Sequence, residues 1–320
     1  MRNVTLRQLR CFAAASRLGS FAKAAEELHL TPPAVSMQIK ELEGQVGLPL
    51  FDRSGRSVSL TVTGEYLLVH ARKILATLKD AEDTVARFRG LRSGRLVIGM
   101  VSTAEYFLPK LLARFRSEHP EIDIRLLVGN RETLVAALND NECDLAVMGR
   151  PPKELATRAE PFAVHPLVVA CPVDHALLAH GRLPPVALAN QGFIVREPGS
   201  GTRAAMEQFF DDVRISPSVV MEMSSNETIK QAVMAGMGLG FLSLHTIGLE
   251  LRSKRIAVLD IEGLPLVRRW HVVHTLAKTM SPLAEAFRYF ILEHGEAHLA
   301  REFGDFAAEQ AARQRAQQLG

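Results

Sequence analysis

The sequence predicts a chain in three parts: an all-α winged helix-turn-helix domain, a long linker helix, and a two-lobed α/β body. Three observations predict it. Two short helical patterns joined by a tight turn precede a small hairpin pattern within residues 1–62. A heptad run of apolar residues follows over 63–90. Over 94–295, short β-rich runs alternate with helical segments in two successive series, ahead of a tail at 296–320. A length of 320 residues leaves room for two or three such domains.

Composition narrows the class. Hydrophobic residues make up 47% and charged residues 23%, which excludes wholesale disorder. No apolar run approaches the roughly 18 residues of a membrane span. The opening MRNVTLRQLRCF lacks the layout of a secretory signal, so a cytoplasmic location is expected. Cys11, Cys143 and Cys171 lie far apart without a CxxC pair, which indicates neither a disulfide framework nor a zinc knuckle. Charge is uneven: residues 1–93 carry fourteen Lys and Arg against nine Asp and Glu, and the rest carry 24 against 26. A basic head on a near-neutral body suggests a polyanion-binding module.

In the head, Leu6, Leu9, Phe12 and Ala13 recur at helical spacing. Ser20 stands as N-cap to a second helix that buries Phe21, Ala24, Ala25 and Leu28. Thr31 and Pro32 open a third, which buries Val35, Ile39, Leu42 and Val46 and turns Ser36, Met37 and Lys40 outward. Small residues at 22, 24 and 25 permit the close crossing that seats such a helix in a major groove. A generic three-helix bundle would share this pattern. The runs Leu50-Phe51 and Val58–Leu60, which flank a Ser54-Gly55 turn, favour the winged form and put Arg53 and Arg56 at an exposed tip. The expected DNA-contacting set is Ser20, Thr31, Pro33, Ser36, Met37, Lys40, Arg53 and Arg56.

Thr63 is expected to cap a helix that runs to about Arg89. Within it Leu67, Ala71, Ile74, Leu78, Ala81, Val85 and Phe88 follow a 4-3 spacing. That spacing buries one stripe against a partner helix, and the alternative is a single helix on its own domain. Two paired heads would suit a pseudo-palindromic duplex site.

After a hinge at 90–94, strands are expected at 95–101, 122–128 and 144–148, with helices at 105–117 and 131–140. The second series has strands at 165–171, 192–196, 218–223 and 239–243, with helices at 202–211 and 226–235. A strand at 270–276 and a helix at 281–294 are free to return to the first lobe. Two α/β lobes around a cleft describe a periplasmic-binding-protein-like receptor. The tail reads as a solvated appendage. Catalytic patterns are lacking: there is no HExxH and no GxSxG, and the histidines are scattered. Gly236-Met237-Gly238-Leu239-Gly240 follows a helix and precedes a strand, the reverse of a dinucleotide loop, so it reads as a helix end. No enzyme activity, cofactor or metal is expected.

Helix starts supply the candidate ligand residues: Ser102 and Thr103 in the first lobe, Thr202 and Arg203 in the second, with Asn130, Thr133, Asn226 and Thr228 at two more. Helix N-termini favour anions, so the implied ligand is a small carboxylated or phosphorylated one, although each turn alone reads as a plain cap.

The segments LRQLRCF, GSFAKAAEELHLTPPAVSMQIKELEGQVGLPLF and LTVTGE, followed by this body, resemble the LysR-type transcriptional regulators across about 295 residues. The resemblance implies a tetramer built from linker-helix dimers, double-stranded DNA as partner, and a metabolite that shifts the complex between bent and relaxed forms. The segments GMVSTAEYFLPKLLARFRSEHPEIDIRLLVGNRETL and DLAVMGRPP look like the branch that controls carbon dioxide fixation operons. For that branch sugar phosphates, related phosphorylated intermediates or NADPH are the implied effectors. In that comparison Ser102 and Thr103 match the first-lobe ligand turn, and Thr202 with Arg203 falls in the second. Met37 departs from a frequent arginine. A two-lobed solute receptor or an enzyme is the alternative of a different class.

Overall fold

The computed structural model describes residues 3–52, 58–87 and 94–318. The chain divides into two units, Met1–Phe88 and Arg89–Gly320.

In the first unit, α1 (Leu6–Leu18) starts at a capping box. The Thr5 hydroxyl accepts from the Gln8 amide, and the Gln8 side chain accepts from the Thr5 amide. Gly19, in the left-handed region, ends it. Ser20 caps α2 (Phe21–Glu27), and His29 (φ 52°) turns the chain into α3 (Pro32–Val46). Phe12, Ala15, Ala24, Ala25, Val35, Ile39 and Leu42 meet in one core, joined by Cys11. Leu6, the first residue of the helical spacing, is 41% exposed. A two-stranded hairpin, β1 (Phe51–Asp52) with β2 (Ser59–Leu60), adds the base of the wing. Arg53 and Arg56, expected at its tip, lie outside the described residues.

The linker helix α4 runs Val62–Arg87. Its cap is Thr61 rather than the expected Thr63: the Thr61 hydroxyl accepts from the Gly64 amide at 3.0 Å and donates to the Pro49 carbonyl at 2.8 Å. Position 64 tolerates no side chain, since a Cβ there would stand 2.2 Å from the Leu50 carbonyl oxygen. The first part of the heptad run is spent at home, with Leu68 and Ala71 in the core of the head and Leu67 and Leu75 packed against it. Further along, Ile74 is 48% exposed and Ala81 is exposed. The Val85 side chain and Phe88 lie outside the described residues, as does the expected hinge up to residue 93.

The second unit carries a single nine-stranded sheet. In the first lobe β3 (Gly94–Val101) pairs in parallel with β4 (Ile122–Gly129) and β5 (Leu145–Met148), covered by α5 (Leu108–Glu118) and α6 (Arg131–Asn139). Two long strands join the lobes: β6 (Thr157–Pro172) and β11 (Leu266–Thr275), antiparallel to one another. In the second lobe β7 (Gly192–Arg196) pairs in parallel with β8 (Ser218–Met223) and β9 (Leu239–Ser243). Helices α7 (Gly201–Asp212), α8 (Asn226–Met234) and α9 (Gly248–Arg252) belong to that lobe, and the short β10 (Ile256–Val258) edges β6. The strand order is β4-β3-β5-β11-β6-β9-β7-β8.

Three expectations change in this unit. Residues 102–104 form one 3₁₀ turn, and the α-helix begins only at Leu108, where Pro109 fits its first turn. Strand β6 starts eight residues before the expected 165. Helix α10 (Pro282–Gln318) runs on without a break, and Leu299 and Phe303 are buried in the first-lobe core with Phe107, Phe115, Trp270 and Phe287. The start of the tail is therefore core, not appendage. As expected, β11 and α10 return to the first lobe, and Gly236 (φ 75°) ends α8. Among the described residues no helix is long and apolar enough to cross a membrane.

Candidate functional site

The outer face of α3 is built by what its inner face must bury. With Val35, Ile39 and Leu42 fully inside, positions 33, 37 and 40 fall on the opposite side. Pro33, Met37 (54% exposed) and Lys40 are exposed there with Thr31 at the helix start, and Ser36 is half-buried beside them. The Ser20 hydroxyl is occupied in capping, accepting from the Lys23 amide at 3.4 Å. This surface is polar with one apolar contact point, suited to base edges and a thymine methyl.

The cleft of the second unit lies where the carboxyl ends of β3, β5 and β7 converge, the usual crevice of open α/β sheets. It holds a small cavity of about 30 Å³, partly open to solvent. Ser102, Thr103 and Asn130 enter from the first lobe, with Gly149 and Arg150; Arg196 and Thr202 enter from the second; His165 and Arg268 rise from the joining strands. Of the eight expected residues, Ser102, Thr103, Asn130 and Thr202 line it. Asn226 sits behind, tied to the site through Arg196.

Arg196 is the bridge between the lobes. It is buried (4% exposed) and paired with Glu197 through Nε at 2.8 Å and Nη2 at 2.9 Å. Its Nη1 donates to the Asn226 side-chain carbonyl at 2.8 Å, and Nη2 to the Ser102 hydroxyl at 3.1 Å. The Asn226 amide reaches the same hydroxyl at 3.3 Å. At the rim, Gly199 (φ 82°) approaches the first lobe so closely that a Cβ would lie 2.6 Å from Glu132 Oε2. The lobes therefore stand closed on one another.

Three expected residues are not brought to the cavity. Thr133 is exposed and caps locally, its amide and hydroxyl both donating to the Asn130 side-chain carbonyl at 3.0 Å. Thr228 is exposed, its amide donating to Ser225 Oγ. Arg203 points outward into ion pairs with Glu207 and Glu222. Those carboxylates hold its guanidinium above its ordinary pKa.

The cations that do face the cavity are ones the helix-start argument missed. Arg268 donates to the Gly201 carbonyl at 3.1 Å. Burial, then the neighbouring Arg150, pushes its pKa below the usual arginine range. Neither Arg150 nor Arg268 has a carboxylate partner among the described residues, whereas Arg131 beside them is neutralised by Glu154 at 2.9 Å. Two uncompensated guanidiniums face the N-terminus of α7, where the Ser200 hydroxyl accepts from the Thr202 and Arg203 amides. A site with that charge balance takes an anion, and a divalent one satisfies it best.

Residues 6–65 match the family described as "bacterial regulatory helix-turn-helix protein, lysR family", and residues 89–296 match the "LysR substrate binding domain". The transcriptional regulator CfxR of Cupriavidus necator is 49% identical over 95% of this chain and 96% of its own. The RuBisCO operon transcriptional regulator of Allochromatium vinosum is 46% identical over 91% of this chain and 96% of its own. Among solved structures, the regulatory domain of Synechocystis CcmR in complex with 2-PG is 38% identical. It covers 62% of this chain and 96% of its own, with a TM-score of 0.61. Full-length CbnR complexed with its target DNA shares the fold at 21% identity, with a TM-score of 0.62 over 93% of this chain and 99% of its own. Both family models and the long, high-identity matches agree, and this chain belongs to the LysR family of DNA-binding transcriptional regulators.

Proposed function

We propose that this regulator controls genes of carbon dioxide fixation in the cytoplasm, and that a small phosphorylated or carboxylated metabolite in the interlobe cavity sets how it holds DNA. The observation that carries the ligand class is the pair Arg150 and Arg268, uncompensated beside the α7 N-terminus. The identities with CfxR and the RuBisCO operon regulator support the gene class, and CcmR bound to 2-PG supports a compact anion. Ser102, Thr103, Asn130 and Thr202 supply hydroxyls and an amide around the two cations. In the head, Ser36, Met37 and Lys40 read bases in the major groove with Thr31 and Pro33 at the helix entry, and Ser20 fixes the turn. Arg53 and Arg56 grip phosphates. The α4 helices pair to space two heads on a pseudo-palindromic site, and dimers assemble into tetramers.

Titration calorimetry of the full chain with 2-PG tests the cavity. The wild type is expected to bind, and Arg268→Met is expected to bind at least about tenfold more weakly, as for a charged hydrogen-bond donor. Equal affinity in the two proteins overturns the reading of Arg268 as a ligand cation.

A further inference from the structure

The effector unit has a second cavity, of about 230 Å³, that shares no lining residue with the interlobe cleft. Its walls are β6 between residues 163 and 166, Leu244 and His245 just after β9, and α10 at Glu296, Leu299, Ala300 and Phe303. The α10 residues recur at three- and four-residue spacing, so they share one side of the helix. Leu299 and Phe303 belong to the first-lobe core and Leu244 to a second-lobe cluster, so the cavity sits where the lobes join. Its side chains are mostly apolar. A closed apolar cavity of about 150 Å³ takes benzene, so this one has room for a ring with a substituent.

One polar group in this wall lacks a partner. His245 is 5% exposed, and its ring lies 4.7 Å from that of Phe303. The Trp270 Nε1–H donates to His245 Nδ1 at 3.0 Å. An indole N–H can only donate, so Nδ1 accepts, and the proton of the neutral imidazole is then on Nε2. Burial, which holds His245 down to about 3, keeps the ring neutral. Among the described residues nothing accepts from Nε2, and that nitrogen, unlike Nδ1 of His165, is not sealed from the surface. The open space it meets is the cavity that His245 lines. A donor held in a fixed direction on an apolar wall is a place for a ligand oxygen. At the rim Glu296 is exposed, with no cation partner among the described residues, and its carboxylate disfavours an anion.

We propose that this cavity is a second ligand site of the effector unit, taking a neutral single-ring molecule whose carbonyl oxygen accepts from His245 Nε2–H. The apolar walls hold the ring, the donor fixes its orientation, and Glu296 turns away the anions that the cleft attracts. The two sites are separate but linked by contact. His165 of the first stacks on Trp270 with centroids 3.9 Å apart, and Trp270 is bonded to His245 of the second. Trp270 is also the one tryptophan of the chain, so its fluorescence reports what meets His245.

The test titrates the full chain with benzamide, a neutral ring bearing a carbonyl, followed by Trp270 fluorescence and calorimetry. Wild type is expected to bind saturably, at about millimolar affinity or tighter. Benzoate, the same ring as an anion, is expected to displace benzamide about fivefold less well. His245→Asn keeps an acceptor for the Trp270 N–H but has no atom at the Nε2 position, and it is expected to weaken benzamide about tenfold. His245→Gln, whose amide reaches that position, is expected to stay within about threefold of wild type. Ala300→Phe, at an exposed point of the wall, fills the cavity and is expected to abolish binding. Arg268→Met, in the interlobe cleft, is expected to change nothing. Thermal melting checks that each variant is folded; if a His245 variant is not, Ala300→Phe, Arg268→Met and the benzoate comparison decide. The assignment is overturned by wild type that does not bind benzamide, or by benzoate that displaces it equally well. It is overturned too by a folded asparagine variant with wild-type affinity, or a folded glutamine variant as weak as asparagine. Binding that survives Ala300→Phe or is lost in Arg268→Met also overturns it. None of these outcomes involves 2-PG, so the anion reading of the cleft stands or falls separately.

Discussion

His245 and His165 are buried in the second unit as neutral rings, and that has a consequence for stability. Burial holds His245 down to about 3 and His165 well below the usual histidine range. His271, His274 and His298 are pushed the same way by partial burial. In the unfolded chain each of these would protonate near the ordinary value of about 6.5. A depressed folded-state pKa gives stability that is present above that value and lost as pH falls through the window below it. Each ring still neutral in the fold then costs up to about 1.4 kcal/mol per pH unit. The full chain is expected to melt at steadily lower temperature from pH 6.5 to 5, a range above the titration of most carboxylates. His245→Asn, which keeps an acceptor for the Trp270 N–H, is expected to flatten that slope by about one proton. A melting temperature level across the range would show that these rings are not buried as neutral groups. Single residues were also where the sequence was least legible. Arg196 and Arg150 lie at the carboxyl ends of strands, and a rule that scans such ends would have found them. Arg268 lies mid-strand between Val267 and Arg269, and nothing local says which of the two arginines faces the cavity.

Helix α4 divides its labour along its length. Its first turns serve the head, through Leu68 and Ala71, while Val62, Tyr66, Val69 and Ile74 are exposed apolar residues on other faces. The heptad spacing in the sequence is thus a composite of two faces, one that packs on α1 and one left for a partner. Periodicity alone could not separate them, because both follow the same 3.5-residue period. Ile74 lies on the seam yet is half exposed, so a charge there is expected to harm pairing and spare the head. In sedimentation experiments Ile74→Glu is expected to shift the assembly toward monomer, with DNA affinity at a two-half-site duplex falling in step. Wild-type assembly in that variant would assign the seam to the fold of one chain. The misplaced cap at Thr63 has a related cause: two threonines two residues apart offer equal cap signals, and the Pro49 carbonyl, remote in sequence, selects Thr61.

At the scale of the whole effector unit, the parallel strands were legible because β3, β5, β7 and β9 are continuous apolar runs, buried on both faces. The first half of β6, residues 157–164, was not. Charged Arg158 and Glu160 interrupt any apolar run there, and the distant pairing with β11 makes the segment a strand. Because β6 and β11 both run through the junction, any change of lobe angle has to bend two paired strands, and side-chain contacts across the cleft oppose it. Besides the Arg196 bridge there is a second such contact. Tyr106 of the first lobe donates to Glu227 of α8 at 2.6 Å, and its ring lies under the Lys230 ammonium at 4.7 Å. Lys230 is itself paired with Glu227 at 2.7 Å and Glu250 at 3.0 Å, so the latch is a small network in which Lys230 is buried and Glu227 is largely exposed. That exposure limits its worth to about 1 kcal/mol. A double-mutant cycle of Tyr106→Phe and Glu227→Gln in urea unfolding is expected to give a coupling of that size. The same variants are expected to weaken 2-PG binding by up to about fivefold, since a closed state worth about 1 kcal/mol less is populated less before the ligand arrives. Zero coupling with unchanged affinity would place the control of lobe angle in the two strands and the Arg196 bridge alone.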